Sequence, residues 1–187
     1  MIPSTLQMNL QTAELSHNPE IQVIARTISD LKGIFKNETS RSAIDPKKVI
    51  YRVQSFFPVK EGTAGGLFWG STFIEPGMVG DEYHMTKGHF HASIDRTEIY
   101  MGVAGVGALI LMDETGRTWC EKMHQGSVHA IPGRVAHRVA NVGLEVLSFV
   151  ACWPADAGHD YETIMKDGFG ARLRNVGGVP KLVEDLG

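Results

Sequence analysis

The hydrophobic and polar positions of the chain follow two different patterns. Ahead of Val49, apolar residues recur every three or four positions, which is the spacing of one face of a helix. Asn18 is a suitable helix cap, Pro19 suits the first helical position, and Gly33 suits the end. The apolar face comprises Ile21, Ile24, Ala25, Ile28 and Leu31. This pattern predicts an N-terminal helix that packs on the outside of a sheet.

From Val49 onward, short apolar stretches typical of strands are separated by turn residues. The separators at 61–66, 76–77, 113–116 and 141–143 are rich in glycine, proline, asparagine and aspartate. The predicted strands are 50–57, 66–74, 98–103, 108–112, 127–131, 137–141 and 146–152. A short helix is expected around 161–166, and 172–176 and 179–183 flank a Gly-Gly pair as a closing hairpin. Short strands at this spacing favour a β-sandwich or barrel over a parallel α/β fold.

Composition and charge narrow the class of protein. The 187 residues are 43% hydrophobic and 21% charged, which is typical of a single globular domain. We expect one domain with a helical arm at 1–47, a barrel at 48–153 and a C-terminal helix and hairpin at 154–187. The net charge of −3 and the lack of a basic run or a long apolar run argue against nucleic-acid and membrane partners. Residues 1–20 lack a secretory pattern, and Cys120 and Cys152 fit free thiols, so a cytoplasmic location is expected.

Three histidines and one glutamate form the most informative chemical pattern. His89 and His91 share one face of an extended segment, a polar turn at 93–96 follows, and Glu98 opens a returning strand. His137 follows a Pro-Gly turn and opens another strand. A lone His-x-His is more often structural than ligating, but the combined pattern favours a metal. Imidazole and carboxylate ligands suit divalent iron, manganese, nickel or zinc, and four of them leave positions for a substrate.

Two groups of motifs resemble known families. Gly126, Pro132, His137 and Asn141 have a spacing similar to a motif of the cupin superfamily, whose members are small antiparallel β-barrels. The first cluster departs from that pattern, because six residues separate His91 from Glu98. The segments 80–91, 95–100 and 154–161 resemble instead the cupin-type glucose-6-phosphate isomerases, over about 51–169. The resemblance implies a mainly-β, single jelly-roll barrel with Fe²⁺ as the expected metal. It also implies an enzyme that interconverts glucose 6-phosphate and fructose 6-phosphate.

That isomerisation moves a proton between C1 and C2 through an enediol, which requires polarised oxygens, a base and a phosphate anchor. A metal held by O1 and O2 would polarise them, and Glu98 is the candidate base because no other carboxylate belongs to the metal cluster. A metal-bound carboxylate is a weaker base, so a hydride shift with Glu98 as a ligand alone is the alternative mechanism. The resemblance implies that His159 shuttles a proton during ring opening. A structural role for His159 is the alternative.

The resemblance also implies contacts with the substrate. The expected phosphate donors are three hydroxyls and one backbone N–H, at Tyr51, Thr72, Thr86 and Gly88. Tyr100 and Tyr161 are expected to line the sugar cavity, and Trp153 stands where archaeal relatives carry tyrosine. Lys87 and Arg138 could add positive charge but are expected to be solvated.

Three functions remain open at the level of sequence. The first is the sugar-phosphate isomerase, which would serve glycolysis and gluconeogenesis. The second is another cupin metalloenzyme, either a mannose-6-phosphate isomerase or an iron or manganese dioxygenase or decarboxylase. The third is a non-catalytic sugar-binding cupin. The N-terminal arm and unpaired sheet edges favour a homodimer in each case.

Overall fold

In the computed structural model, which describes residues 4–185, the chain is mainly antiparallel β-structure, as predicted. The helical elements are a 3-10 turn at Ser29–Leu31, α1 at Glu38–Ser42 and α2 at Glu162–Asp167. The strands are β1 Gln7–Met8, β2 Leu15–Ser16, β3 Gln22–Thr27, β4 Val49–Phe56, β5 Leu67–Ile74, β6 Met78–Val79, β7 Glu82–Tyr83, β8 Glu98–Ala104, β9 Val106–Asp113, β10 Thr118–His124, β11 Val128–Ile131, β12 Val135–Asn141, β13 Leu147–Pro154, β14 Ala171–Val176 and β15 Val179–Glu184.

Two sheets pack on one shared apolar core. The larger has the order β11-β8-β13-β5-β4-β3, and the smaller has the order β10-β9-β12. Leu109 and Leu111 of the smaller sheet belong to the same buried cluster as Leu147 and Phe149 of the larger one. Across the described part of the chain the strands do not close into one continuous hydrogen-bonded ring. The arrangement is that of a jelly-roll sandwich, which agrees with the predicted class.

Side-chain alternation places the chemistry on the inner face of the larger sheet. In β8, Glu98 and Tyr100 are buried, whereas the intervening Ile99 is 45% exposed. All seven predicted strands are present, with ends that differ by one or two residues. Strand β10 was missed, because it lies at the edge of the smaller sheet and only Met123 in it is buried. A mostly solvated edge strand leaves little hydrophobic signal in a sequence.

The predicted N-terminal helix over 19–31 is wrong. Gln22–Thr27 instead forms strand β3, which pairs antiparallel with β4, and only the 3-10 turn at Ser29–Leu31 follows it. Val23, Ile24 and Thr27 are β-branched, which disfavours a helix and suits a sheet. The open edge of β4 supplies hydrogen-bond partners along the segment, and these outweigh the helical spacing. The α-helix of this region lies later, at Glu38–Ser42.

The C-terminal predictions are confirmed. Strands β14 and β15 form a hairpin whose turn is Gly177-Gly178, and both glycines have positive φ, as a type I′ turn requires. Strand β14 also pairs with β7, in a four-stranded sheet of order β15-β14-β7-β6. Among the described residues, no helix has the length and apolarity needed to cross a bilayer.

Candidate metal centre

The predicted metal ligands come from three segments that meet at one point. His89 and His137 form a mutual backbone bridge, with His89 N–H donating to His137 O at 3.2 Å and the reverse bond at 3.1 Å. This bridge joins the extended His89–His91 stretch to β12, although the stretch does not form a regular strand. Glu98 lies at the start of β8 in the opposite sheet. The cluster therefore closes the gap between the two sheets.

The four side chains are close enough to share one ion. One ligand atom from each of His89, His91, Glu98 and His137 lies within 4.8 Å of all the others. His91 and Glu98 are each 5% exposed, and His137 is 1% exposed. Burial of two imidazoles and a carboxylate beside the partly buried His89 is costly unless they are paired or bind a cation. The donor set, three nitrogens and an oxygen, suits a divalent transition metal.

Unpaired nitrogens support that interpretation. Nε2 of His89 and Nε2 of His137 are buried without a hydrogen-bond partner, although His137 Nε2 lies 3.0 Å from Glu98 Oε2. The opposite ring nitrogens of two ligands are held by backbone carbonyls. His91 Nδ1 lies 2.9 Å from Arg96 O, and His137 Nδ1 lies 3.3 Å from Val135 O. Such second contacts are how metal-binding histidines are oriented, so these residues fit a divalent ion.

The electrostatics of the cluster favour an ionised Glu98 carboxylate beside a neutral His89 ring, whereas at His91 burial is outweighed by hydrogen bonds to Glu98 and Arg96 O, which raise the pKa of that ring. Burial by itself raises the pKa of Glu98, but interactions with His137 and His91 outweigh it and lower that pKa. Burial holds the pKa of His89 well below its ordinary value, and the neighbouring imidazoles add to the effect. Burial also raises the pKa of Tyr100 far above its ordinary value, with the Glu98 charge adding to the shift. The phenol of Tyr100 therefore stays protonated at the base of the site.

A cavity of about 550 Å³ opens directly onto the cluster. Its floor is the inner face of the larger sheet, and the His89–His137 pair forms part of the opposite wall. The structure brings every predicted substrate-contact residue to this lining. They are Tyr51, Thr72, Thr86, Gly88, Tyr100, Trp153 and Tyr161, together with His159.

The segment before His89 is shaped by one glycine. Gly88 has φ of +80°, and a Cβ there would lie 2.9 Å from the Phe169 ring and 3.1 Å from Arg138 Cβ. Only glycine fits this backbone without displacing its neighbours. Beside it, Thr86 Oγ1 accepts a hydrogen bond from Val139 N at 3.1 Å. The Thr86 hydroxyl proton is then free to be donated toward the cavity.

At the cavity mouth, aromatic rings surround His159. Its ring centroid lies 4.4 Å from that of His89, and it stacks on Tyr161 at 5.6 Å with an 8° interplanar angle. His159 remains partly exposed, yet desolvation by the walls lowers its pKa. Trp153 lies in the wall edge-on to Phe68, with centroids 5.8 Å apart. His159 is thus a neutral imidazole next to the metal cluster and open to solvent.

The structure corrects one expectation and adds residues that the sequence analysis missed. Arg138 is not solvated: it is 6% exposed, and its guanidinium carbon lies 3.8 Å from the centre of the Phe169 ring. Gln22, Arg26 and Ser55 also line the cavity. Gln22 and Arg26 were assigned to a helix, and only their alternation within a strand could have indicated an inward face.

The chain is similar over most of its length to a known enzyme family. A family model described as glucose-6-phosphate isomerase (GPI) matches residues 25–181. The glucose-6-phosphate isomerase of Thermococcus kodakarensis is 38% identical over 186 residues, covering 98% of this chain and 95% of the relative. That of Pyrococcus furiosus is 38% identical over 162 residues, covering 86% and 85%. The putative glucose-6-phosphate isomerase 2 of Rhizobium meliloti is 37% identical over 169 residues, covering 89% and 82%.

Similarity to solved structures is weaker. Oxalate decarboxylase from Bacillus subtilis at pH 4.6 superposes with a TM-score of 0.46 and 19% identity, covering 58% of this chain. The match spans only 26% of that protein. No conclusion about function follows from a match of this extent.

Proposed function

Because this chain belongs to the glucose-6-phosphate isomerase family, we propose that it interconverts glucose 6-phosphate and fructose 6-phosphate at the His89–Glu98–His137 centre. One observation carries the proposal: four candidate ligands lie within 4.8 Å of one another, and three of them, His89, Glu98 and His137, line a cavity large enough for a hexose phosphate. The family matches cover nearly the whole chain, so they include both the ligand segments and the cavity walls.

We propose His89, His91, Glu98 and His137 as the ligands of a divalent metal, with Fe²⁺ as the expected ion and Mn²⁺, Ni²⁺ or Zn²⁺ as alternatives. A metal bound there supplies Lewis acidity to the sugar oxygens on C1 and C2. The all-nitrogen-and-oxygen donor set and the absence of cysteine from the cluster favour a catalytic over a structural ion. The buried Nε2 atoms of His89 and His137 support the assignment.

Glu98 is proposed to move the proton between C1 and C2. Its lowered pKa keeps it ionised and able to accept a proton, but the same environment makes it a modest base. Deuterium incorporation separates this route from a hydride shift, in which Glu98 is only a ligand. Isomerisation of fructose 6-phosphate in heavy water should place deuterium at C2 of the glucose 6-phosphate that forms. Its complete absence from C2 would count against the proton-transfer route.

His159 is proposed to transfer a proton at the ring oxygen while the cyclic sugar opens. Its neutral imidazole faces solvent at the cavity mouth and lies next to His89, which suits exchange of protons with water. The stack on Tyr161 holds the ring in place. Tyr100, Trp153 and Tyr161 are proposed to surround the sugar.

The phosphate is proposed to bind at the end of the cavity formed by Tyr51, Thr72, Thr86 and Gly88. All four line the cavity, and Gly88 has no side chain of its own to cover its backbone N–H. The Thr86 hydroxyl can donate because its acceptor role is already filled by Val139 N–H. These groups are neutral donors, which suits recognition of phosphate oxygens.

We propose that 1–187 form one domain, since one buried cluster joins Ile28 and Leu31 to the sheets and to Ile164 and Leu173. A homodimer is proposed from the larger sheet, whose two edge strands β3 and β11 expose Val23 by 61% and Val128 by 65%. A cytoplasmic role in glycolysis and gluconeogenesis is proposed from the sugar-phosphate substrates.

The experiment is conversion of fructose 6-phosphate to glucose 6-phosphate, measured before and after chelator treatment and after single metals are added back. The proposal expects turnover that chelator abolishes and that a divalent metal restores, most strongly Fe²⁺. Turnover of mannose 6-phosphate is measured in parallel to define the sugar specificity. Oxygen consumption with iron and indifference to phosphorylated sugars would reject the isomerase in favour of an oxidative enzyme.

A further inference from the structure

The cavity contains little positive charge for the substrate that it is proposed to hold. A sugar phosphate carries close to two negative charges at neutral pH. The four groups assigned to its phosphate are neutral, and Glu61 and Glu98 add negative charge to the lining. The whole chain also carries a net charge of −3. Among the described residues that line the cavity, Arg26 and Lys87 are the only lysine or arginine side chains.

Arg26 lies at the end of the cavity where the neutral donors collect. It sits on β3 directly opposite Tyr51 of β4 in the antiparallel register. Both side chains line the cavity, so the guanidinium lies on the same side of the sheet as the phenol. Burial raises the pKa of Tyr51 to about 12, and the Arg26 charge partly opposes that rise. The same charge lowers the pKa of Tyr161, which also lines the cavity, although burial raises that pKa overall. Arg26 therefore faces the cavity beside Tyr51.

Arg26 forms no ion pair with any carboxylate of the described residues. Within the described chain, no carboxylate oxygen lies within 4.0 Å of its guanidinium, whereas Arg52, Arg96, Arg134 and Arg172 are all paired. Asp30, an acidic residue whose pKa the Arg26 charge lowers after the larger effect of the Thr27 hydrogen bonds, already accepts hydrogen bonds from the backbone N–H and the hydroxyl of Thr27. A half-buried cation left unpaired in a ligand cavity is available to an anion.

Arg26 suits the phosphate better than Lys87 does. A guanidinium presents a planar fork that can bind two phosphate oxygens at once, whereas an ammonium is a point charge on a flexible stem. Strand pairing with β4 also fixes the backbone of Arg26. Lys87, in contrast, lies in the irregular stretch before Gly88. Arg26 is thus the more directional of the two cations.

We propose that Arg26 is the charged anchor for the terminal phosphate and makes the enzyme specific for phosphorylated sugars. The inference rests on the proposed isomerase function and deepens it. The edge strand β3 then has a second purpose, because it closes the phosphate end of the cavity. Glu98 of the metal centre lies on β8 and Arg26 lies on β3, with β13, β5 and β4 between these two strands, so the sugar lies across the strands between them.

The test compares Arg26→Gln, Arg26→Lys and Lys87→Gln with the wild type, and uses Arg117→Gln as the matched control. Arg117 is exposed on the β9–β10 turn and lies outside the cavity lining. Kinetics with fructose 6-phosphate give kcat and KM, and inhibition by inorganic phosphate gives its inhibition constant. Arg26→Gln should raise both KM and the phosphate inhibition constant about tenfold or more, with kcat within about threefold, since a charged hydrogen bond is lost from ground and transition states alike. Arg26→Lys should recover part of the loss, and Arg117→Gln should match the wild type.

Three results would overturn the inference. They are an unchanged KM in Arg26→Gln, a loss confined to kcat, and a larger KM effect in Lys87→Gln than in Arg26→Gln. Failure of the proposed function looks different, since the wild type itself would then turn over no sugar phosphate with any metal. In that case phosphate binding is measured by calorimetry. Weaker phosphate binding in Arg26→Gln than in Arg117→Gln would support an anion site at Arg26, and equal binding would reject it.

Discussion

At the scale of single residues, the Glu98 carboxylate has two proposed roles, as a metal ligand and as the group that moves the proton. Its Oε2 lies 3.3 Å from His91 Nε2 and 3.0 Å from His137 Nε2, so that oxygen faces the proposed ion. Proton transfer would then use either the other carboxylate oxygen, Oε1, or the whole carboxylate once a sugar oxygen had taken its place beside the ion. Either route needs a charged carboxylate, which an amide of the same shape cannot replace.

Glu98→Gln is therefore expected to lower kcat by about 10²–10⁴-fold at saturating metal, the usual range for loss of a positioned base. Turnover of fructose 6-phosphate is the measurement. Glu20→Gln is the matched control, because Glu20 is exposed and outside the cavity lining, and it should keep wild-type kcat. If Glu98→Gln retains more than about a tenth of the activity with metal bound, the proton-transfer role is wrong and Glu98 is only a ligand.

A comparison of Gly88 with Gly116 separates the energetic cost of a left-handed backbone from the cost of crowding by an added Cβ. Gly88 and Gly116 have nearly equal φ values, +80° and +84°, but a Cβ at Gly116 meets nothing within 4 Å. Gly116→Ala should cost about 1–2 kcal/mol of unfolding free energy for its left-handed backbone alone. Gly88→Ala should cost about 1–3 kcal/mol more, because its Cβ would press on Phe169 and Arg138. Urea denaturation measures the unfolding free energy of both variants. Equal losses would show that Phe169 and Arg138 move aside without an energetic cost.

At the scale of elements, periodicity predicted the strands whose two faces differ. Strand β8 alternates between buried Glu98 and exposed Ile99, so the pattern was visible in the sequence. Strand β3 lacks that contrast, since four of its six residues are exposed and its inward residues face an open cavity. Its apolar positions fit a helix equally well. The deciding factor was the unpaired edge of β4, a tertiary feature that no local pattern contains.

His84, which follows β7, ties that element to β12 through Asn141 N–H, which donates to His84 O at 2.9 Å. Its ring is fully buried, Nδ1 lies 3.0 Å from Glu75 O, and Nε2 has no partner. Burial lowers the pKa of His84 below its ordinary 6.5. Above that value the ring is neutral in both folded and unfolded chains. Below it the unfolded chain binds the proton first, so the stability conferred by the neutral ring is lost as pH falls toward the folded pKa.

The unfolding free energy of the wild type should therefore fall between pH 7 and pH 5, with His84 contributing at most about 1.4 kcal/mol per pH unit. His84→Gln should show a shallower slope than the wild type when both are unfolded in urea across that range. His17→Gln, at an exposed histidine, should keep the wild-type slope. A His84→Gln slope as steep as the wild type would assign the acid sensitivity to other groups.

At the scale of the whole molecule, the candidate site depends on the packing of two sheets. The four candidate ligands could be predicted from the sequence, because their residue types and the turns between them are local features. Arg26 could not, because its place beside Tyr51 follows from the sheet order β5-β4-β3. Burial of Arg138 could not be predicted from the sequence either, because its contact with Phe169 joins residues 31 positions apart in the chain.

Because the ligand segments converge only in the folded chain, metal binding should stabilise the fold as a whole. An ion present at a hundred times its dissociation constant adds about 2.7 kcal/mol if the unfolded chain does not bind it. For a chain of this length that corresponds to a rise in Tm of about 5–10 °C over the chelator-treated protein. His137→Ala removes one ligand and should abolish the rise, while His124→Ala, at an exposed histidine outside the cluster, should retain it. Thermal unfolding with and without metal measures this, independently of catalysis. The same rise in His137→Ala as in the wild type would mean that the ion binds elsewhere, and the centre assigned to His89, His91, Glu98 and His137 would have to be abandoned.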